Sequence, residues 1–418
     1  MVEEYHVEGV TTAYAPVGGT LGPDGRWALE PVEHGPYRTR LLVVRPRDAG
    51  RADGTVLLHW QNVSAGYEVG GPSPADLAAG RTWVGVSAQQ VGLYGLPAGM
   101  GSRFAGRGRG LVEHDPERYG ELHHPGDQGA SEIFRQAAAL VRPQRPRTPG
   151  VPDVPGVPDV LGGLEVRRVV ATGASQSAMR LVAYANGFGP AGLGVDGLLL
   201  TVWEGRAHRP SDGALDLPMR CTLRDDLAVP VVIVNSEFEA GSLLGLPAPV
   251  EDTPRRRLWE VAGTPHATWS GPDIGSGRVG VHPLRLGPVR DAALAALLAW
   301  IDGGPPPASQ PRIAVDPATG RLARDADGNV VGGIRLPELE APTHTYRGSW
   351  MGTGRPALFG GAVPLPDDVL VARYGTRAAY LARWDAAVDA LEASGALLPA
   401  DAEAARARGR AAVPAVLT

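Results

Sequence analysis

The residues around Ser175 stand where an apolar run meets a helical pattern. From residue 169 the chain reads Val-Val-Ala-Thr-Gly-Ala-Ser-Gln-Ser, so Gly173, Ser175 and Ser177 have the spacing Gly-x-Ser-x-Ser. A serine on a tight turn between a strand and a helix presents its hydroxyl at the sheet edge, beside the positive end of the helix. The pattern predicts Ser175 as a nucleophile, with Ser177 in place of the usual second glycine. The alternative is an ordinary turn.

A serine hydroxyl is a poor nucleophile unless a base takes its proton. Among the ten histidines, His266 alone comes after a predicted strand and also follows both Ser175 and a candidate acid. We therefore predict His266 as the base, against the alternative of a hydrogen-bonded loop histidine. His208 and His282 lie in loops beside prolines and are predicted to be surface residues.

Two carboxylates follow the apolar run 229–235, which is predicted to be a buried strand. Sites in open α/β sheets form at the carboxyl ends of strands, and an acid there would hold the imidazole tautomer and stabilise the imidazolium. We predict Glu239 as this acid because it lies further into the loop. Glu237 stays open as the alternative.

A serine nucleophile also needs an oxyanion hole with two hydrogen-bond donors. One is expected to be the backbone N–H of Gln176, directly after the nucleophile. The second normally comes from the loop after the third strand, which makes Asn62 or Val63 the candidate. Loss of one such donor typically costs about 10²–10³ in turnover.

The pocket must also exclude water, and the stretch 203–228 is too short for a multi-helix cap. Apolar residues elsewhere are candidates to cover it. We predict that Tyr94 and the region 340–364, with Trp350, lie near Ser175 and bind substrate. The alternative is that this region packs on the far side of the sheet as structure alone.

The elements that must position these residues alternate along the chain. Strand patterns at 37–44, 54–60 and 82–87 precede a helical pattern from Ser131, and strands and helices then alternate from 164 to 302. This predicts an α/β fold with a mostly parallel sheet and helices on both faces. We expect a core of residues 1–302, with a proline-rich surface segment at 143–160, and an appendage of residues 303–418 packed on it.

The composition bounds the class of protein. The chain has 418 residues, a formal net charge of −5, 43% apolar and 20% charged residues, and one cysteine. These values exclude a disordered or collagen-like chain and argue against a nucleic-acid partner. Without a signal peptide pattern or an apolar stretch of transmembrane length, we expect a cytoplasmic protein without a membrane partner.

No cofactor or metal is expected. The sequence has no glycine-rich dinucleotide motif and no phosphate loop. The adjacent His123 and His124 do not easily converge on one ion, so structural or pocket-lining roles are predicted for them.

A set of short motifs resembles a bacterial "α/β hydrolase domain" family of serine carboxylesterases. The resemblance spans residues 5 to 385 and rests on the segments 60–66, 115–120, 124–127, 173–177, 236–239, 260–266 and 332–337. It implies the α/β-hydrolase fold, and the short stretch 203–228 predicts a short cap for it. In that family the acid segment usually ends in Asp where this chain has Glu239, which keeps a carboxylate but lengthens it.

The leading interpretation is a serine hydrolase that cleaves an ester, a lactone or a related acyl bond of a small molecule through an acyl-enzyme. Ser175, His266 and Glu239 have the chain order expected of this fold. An acyltransferase that uses the same acyl-enzyme is one alternative. A non-catalytic binding protein on a hydrolase scaffold is another, because fold does not imply function.

Overall fold

The computed structural model describes residues 1–96, 109–142, 159–213, 216–241, 250–268, 282–349 and 355–418, without the side chains of 355 and 356. Most of the proline-rich segment 143–160 lies outside the described residues, and so does Trp350.

Fourteen strands are found in the described part of the chain. They are β1 Val2–Pro16, β2 Leu29–Val44, β3 Thr55–Trp60, β4 Thr82–Val86, β5 Arg168–Ala174, β6 Gly197–Thr201, β7 Arg206–Ala207, β8 Met219–Arg220, β9 Val231–Ser236, β10 Arg256–Val261, β11 Val315–Asp316, β12 Arg321–Leu322, β13 His344–Arg347 and β14 Gly361–Pro364.

Eight of these strands form one sheet in the order β1-β2-β4-β3-β5-β6-β9-β10. Strand β3 pairs in parallel with β4 and β5, and β5 pairs in parallel with β6. The long β1–β2 hairpin is antiparallel, and β2 meets β4 antiparallel. The inner strands β3, β4, β5 and β9 are nearly continuous apolar runs because strands inside a parallel sheet are buried on both faces.

Thirteen α-helices are found over the same described ranges. They are α1 Pro74–Ala78, α2 Gln90–Tyr94, α3 Leu111–His114, α4 Pro116–Tyr119, α5 Ala130–Leu140, α6 Gln176–Phe188, α7 Glu237–Ala240, α8 Gly287–Ile301, α9 Pro337–Glu340, α10 Arg355–Leu358, α11 Asp367–Tyr374, α12 Arg377–Ala393 and α13 Pro399–Ala411. Within the described residues, no helix combines the length and apolarity needed to cross a membrane.

The chain divides into two compact units. The first contains the described residues within Met1–Val231, Ala248–Arg256 and Ile301–Gly304. Its core includes the buried ring of Trp60, which stacks on Phe134 at 4.8 Å between centroids, and Phe134 in turn meets Tyr184 of α6 edge-on. These contacts pack α5 and α6 beside the carboxyl end of β3.

The second unit contains the described residues within Val232–Pro247, Arg257–Trp300 and Pro305–Thr418. The C-terminal residues therefore share a compact unit with most of β9, β10 and α8. Its core includes Tyr380 and Trp384 of α12, whose rings lie 5.9 Å apart. The predicted division into residues 1–302 and 303–418 differs from these two units and stays a prediction.

The predicted elements agree with the structure in type. The alternating pattern and the mostly parallel sheet are confirmed. Strand β5 begins at Arg168, four residues later than the pattern from Leu164 suggests, and its burial begins only at Val169. The residues from 164 to 167 are at least partly exposed, so the apolar character of Leu164 and Val166 does not reflect the sheet core.

Candidate active site

Ser175 lies at the turn between β5 and α6 with φ 57° and ψ −121°. Over the described residues, only Ser175 and Val202 combine a side chain with a positive φ. Such backbone costs on the order of 1–3 kcal/mol, so surrounding contacts must hold it. The Ser175 N–H donates to Thr201 O at 3.0 Å, and the Met179 N–H donates to Ser175 O at 3.1 Å. The residue is half-buried.

The two neighbours in the Gly-x-Ser-x-Ser pattern make this turn possible. A Cβ at Gly173 would lie 2.9 Å from the backbone C and O of Ser177, so no side chain fits there. The buried Ser177 hydroxyl accepts from the Ala174 N–H and donates to the Ala174 carbonyl, both at 2.9 Å. Serine in place of the second glycine therefore braces the residue before Ser175.

Asn62 links the loop after β3 to the same turn. Its side-chain Nδ2 donates to Ala174 O at 2.8 Å, while its Oδ1 accepts from the backbone and hydroxyl of Ser64. Its backbone N–H donates to Val69 O at 3.2 Å. Both donors of Asn62 are thus engaged within the protein.

The backbone N–H groups of Val63 and Gln176 are placed differently. Val63 follows Asn62 directly, and its backbone N–H donates to no other group within the described ranges. Gln176 is the first residue of α6, where a helix leaves its N–H groups without intrahelical partners. These two groups keep a donor free for an incoming acceptor.

Glu239 and His266 are brought together in the second unit. Glu239 Oε1 lies 2.6 Å from His266 Nδ1, and the side chains are 0% and 10% exposed. The other carboxylate oxygen of Glu239 accepts from the backbone N–H and the hydroxyl of Ser236. Ser236 is the N-cap of α7 and forms a capping box with Glu239. With Nδ1 donating to Glu239, the imidazole carries its basic lone pair on Nε2.

Glu237 points to other partners. Its Oε1 accepts from Arg324 Nη2 at 2.8 Å, and its Oε2 accepts from the Gly263 N–H at 3.1 Å. Gly263 has φ 73°, and a Cβ there would meet Leu284 and Leu339 at 2.9 Å. Glu237 therefore braces the turn between β10 and His266.

The C-terminal segment packs beside the Glu239–His266 pair. A Cβ at Gly348 would lie 2.6 Å from Glu237 Cβ, and the Ala267 N–H donates to Leu358 O at 3.0 Å. Residues of the 340–364 region thus support the loop that carries His266. The predicted substrate contact of Trp350 lies outside the described residues.

Tyr94 ends α2 and is 44% exposed. Its hydroxyl accepts from the His124 N–H at 3.0 Å. The ring of His124 is engaged at both nitrogens, with Nε2 3.0 Å from Ala88 O and Nδ1 accepting from the Gly126 N–H at 3.1 Å. These contacts make His124 a structural residue of the β4–α2 connection.

The prediction that His208 and His282 are surface residues is wrong. Both side chains are buried, at 2% and 4% exposure. Burial lowers the pKa of His208 to about 3 and that of His282 to about 4, so both are neutral at physiological pH. Proline-flanked loops suggest exposure locally, but here tertiary packing covers them.

A buried polar cluster behind the turn was not predicted from the sequence. It consists of Gln89, Asp127, Gln176 and Arg180, each at most 7% exposed. The available signal was the segment 124–127, which the resemblance singled out without a role.

The family described as "alpha/beta hydrolase domain" matches residues 1–407. The chain belongs to this family. Membership identifies it as a hydrolase by family. No curated protein matches the chain.

Solved structures similar to this α/β-hydrolase-domain protein share little sequence with it. Est1E from Butyrivibrio proteoclasticus is 10% identical, with 70% of this chain and 99% of that chain covered and a TM-score of 0.33. XC6422 from Xanthomonas campestris, described as an a/b serine hydrolase without lid, is 13% identical, with 70% and 94% covered and a TM-score of 0.30. A lipase/esterase from Lactobacillus plantarum is 10% identical, with 57% and 82% covered and a TM-score of 0.29. Similarity at this level carries no argument about function.

Proposed function

We propose that the protein is a serine hydrolase that cleaves an ester, a lactone or a related acyl bond of a small molecule. The observation that carries this proposal is the positive φ of Ser175 on a turn between a buried strand and a helix. Strained backbone of this kind persists only where its surroundings hold it, and it clusters at active sites. The Glu239–His266 pair supports the same proposal. Ser175, Glu239 and His266 each follow a strand of the eight-stranded sheet.

In the first step, Ser175 Oγ forms a bond to the carbonyl carbon of the substrate, and its proton passes to His266 Nε2. Glu239 holds the imidazole through Nδ1 and stabilises the imidazolium that forms. The carbonyl oxygen becomes an oxyanion. Collapse of this intermediate breaks the acyl–oxygen bond, and the leaving alcohol takes the proton from His266.

In the second step, a water molecule attacks the acyl-enzyme and gives its proton to His266. The tetrahedral intermediate then expels Ser175, which recovers its proton, and the acid product leaves. No cofactor is required by these steps. The proposal also keeps a cytoplasmic location, and it expects neither a nucleic-acid partner nor a membrane partner.

We propose the backbone N–H groups of Gln176 and Val63 as the oxyanion donors. Asn62 is left out as a donor because its backbone N–H binds Val69 O and its side-chain amide binds Ala174 O. Its role is to hold the loop that carries Val63 against the turn that carries Gln176. Two donors act together only if their separation is maintained.

Asn62→Asp tests this role. The carboxylate keeps the bonds from Ser64 but replaces the donor to Ala174 O with a repulsive acceptor. We expect kcat to fall about 10- to 100-fold while KM changes little, since the loss is in the transition state. Asn62→Ala, which loses both sets of bonds, is the comparison. If Asn62→Asp keeps full activity and Asn62→Ala loses it, the bond to Ala174 O is not needed. Asn62 would then only shape its own loop through its bonds from Ser64.

The proposed function is tested with a panel of p-nitrophenyl esters and lactones, together with a fluorophosphonate probe. We expect turnover of at least one ester class and stoichiometric labelling, with mass spectrometry placing the label on the peptide that contains Ser175. An unlabelled, inactive wild-type protein would favour the non-catalytic alternative. A label on Ser177 would place the nucleophile two residues later.

A further inference from the structure

A buried ion pair joins Arg180 of α6 to Asp127, which lies just before α5. Asp127 Oδ2 accepts from Arg180 Nη2 at 3.2 Å, and the side chains are 1% and 4% exposed. Arg180 Nη2 also donates to Asp212 O at 2.7 Å. Burial lowers the pKa of Arg180, and the charge of Asp127 opposes this shift. Since a buried ion pair often adds no net stability over apolar packing, stability alone does not account for it.

Asp127 binds more than Arg180. Its Oδ1 accepts from the Gln90 N–H at 2.8 Å, and its Oδ2 accepts from Gln89 Nε2 at 3.4 Å. The carboxylate therefore fixes the segment between β4 and α2 through both a backbone group and a side chain. It also determines which end of the Gln89 amide faces it.

The other end of the Gln89 amide receives two donors. Gln89 Oε1 accepts from Trp60 Nε1 and from Gln176 Nε2, each at 3.1 Å. A reversed amide would place its NH₂ against two donors and its oxygen against a carboxylate, so only one orientation satisfies all partners. Gln89 is 1% exposed, so water cannot replace these bonds easily.

Gln176 is the residue that this relay reaches. It follows Ser175 directly and opens α6. Its side chain is tied to Gln89 through Nε2, while its buried Oε1 has no hydrogen-bond partner in the described part of the protein. The link to Gln89 is thus the only side-chain hydrogen bond seen there for the residue whose backbone N–H we assign to the oxyanion hole.

We propose that Gln89 is a positioning residue whose amide, oriented by Asp127, holds Gln176 and its backbone N–H in place for the oxyanion. This inference rests on the proposed function. It gives the His124–Asp127 segment a role: His124 fixes the loop through Ala88 and Gly126, and Asp127 provides the charge that orients the relay.

Gln89→Met is the direct test. Methionine has a similar length and volume but cannot accept from Gln176 or donate to Asp127, and it leaves the bonds of Asp127 to Arg180 and Gln90 intact. We expect kcat and the fluorophosphonate labelling rate to fall about 10- to 100-fold with KM within about 2-fold, because a displaced oxyanion donor weakens transition-state binding. Gln176→Met should show the same loss. The double variant should be no worse than either, since residues that act as one unit give non-additive effects.

Gln136→Met is the matched control. Gln136 of α5 is also a buried glutamine, bound to Tyr37, Val10 and Glu132. Gln89→Met and Gln136→Met should both unfold at a lower temperature than the wild type, but only Gln89→Met should have a lower kcat. Equal kcat in the two variants, or additive losses in the double variant, would overturn the relay while a labelled wild type keeps the proposed function. An unlabelled wild type would overturn both.

Discussion

Replacing Ser175 with alanine is expected to abolish hydrolysis and covalent labelling while the protein stays folded. The change removes the attacking oxygen and the only atom that can form the acyl-enzyme. Residual activity should not exceed about one thousandth of the wild-type rate. Some activity is expected to remain, because the oxyanion hole and substrate binding alone still accelerate the reaction over that in water. The measurements are ester turnover, fluorophosphonate labelling and the thermal unfolding midpoint.

Ser177→Ala is the matched control for this prediction. Its hydroxyl binds the N–H and carbonyl of Ala174, so its loss is expected to cost about 1–3 kcal/mol of unfolding free energy. Labelling at Ser175 should persist, and activity should fall far less than in Ser175→Ala. If Ser175→Ala keeps more than about one thousandth of the wild-type activity, Ser175 is not the nucleophile.

His266→Ala is expected to be nearly as damaging as Ser175→Ala, because removing either member disables the same unit and such losses do not add. Glu239→Gln should cost about 10³–10⁴ in kcat. The amide has one acceptor oxygen where the carboxylate has two, so it cannot serve both Ser236 and His266 Nδ1. The imidazole is then held in the wrong tautomer or left unanchored.

Glu237→Gln is the comparison for the acid. It weakens the ion pair with Arg324 and the bond from the Gly263 N–H, both of which support the turn before His266. We expect lower thermal stability because the Glu237 side chain is only 2% exposed. The loss of activity should be less than about 10-fold, because the bond between Glu239 and His266 Nδ1 stays intact. The reverse ranking of the two glutamine variants would move the acid to Glu237.

Turnover of the wild type should also fall as the pH is lowered, because a protonated imidazole cannot accept the proton of Ser175.

Local sequence predicted the type of the main strands and helices and the tight turn at Ser175. The apolar runs at 55–60 and 231–236 predict buried strands because inner strands of a parallel sheet need apolar side chains on both faces. The turn at Ser175 depends on small residues within two positions of it. Its sequence pattern therefore carries most of the information about its backbone.

The partners of the two candidate acids depend on long-range contacts. Glu237 and Glu239 are two residues apart, and by sequence Glu239 was preferred only because it lies further into the loop. In the structure, Arg324, 87 residues further along the chain, binds Glu237, while Ser236 and His266 bind Glu239. The tertiary fold assigns each carboxylate its partners.

The same distinction holds for the loop that carries Asn62 and Val63 and for the buried polar groups. Asn62 and Val63 are equal candidates by sequence, and only the pairing of Asn62 with Val69 and Ala174 separates them. The burial of His208 and the relay from Asp127 through Gln89 to Gln176 join segments that lie far apart in the chain. Periodicity and turn residues encode local backbone preferences. They do not encode which polar groups meet when strands and loops distant in sequence pack together, and that was decided by the tertiary structure alone.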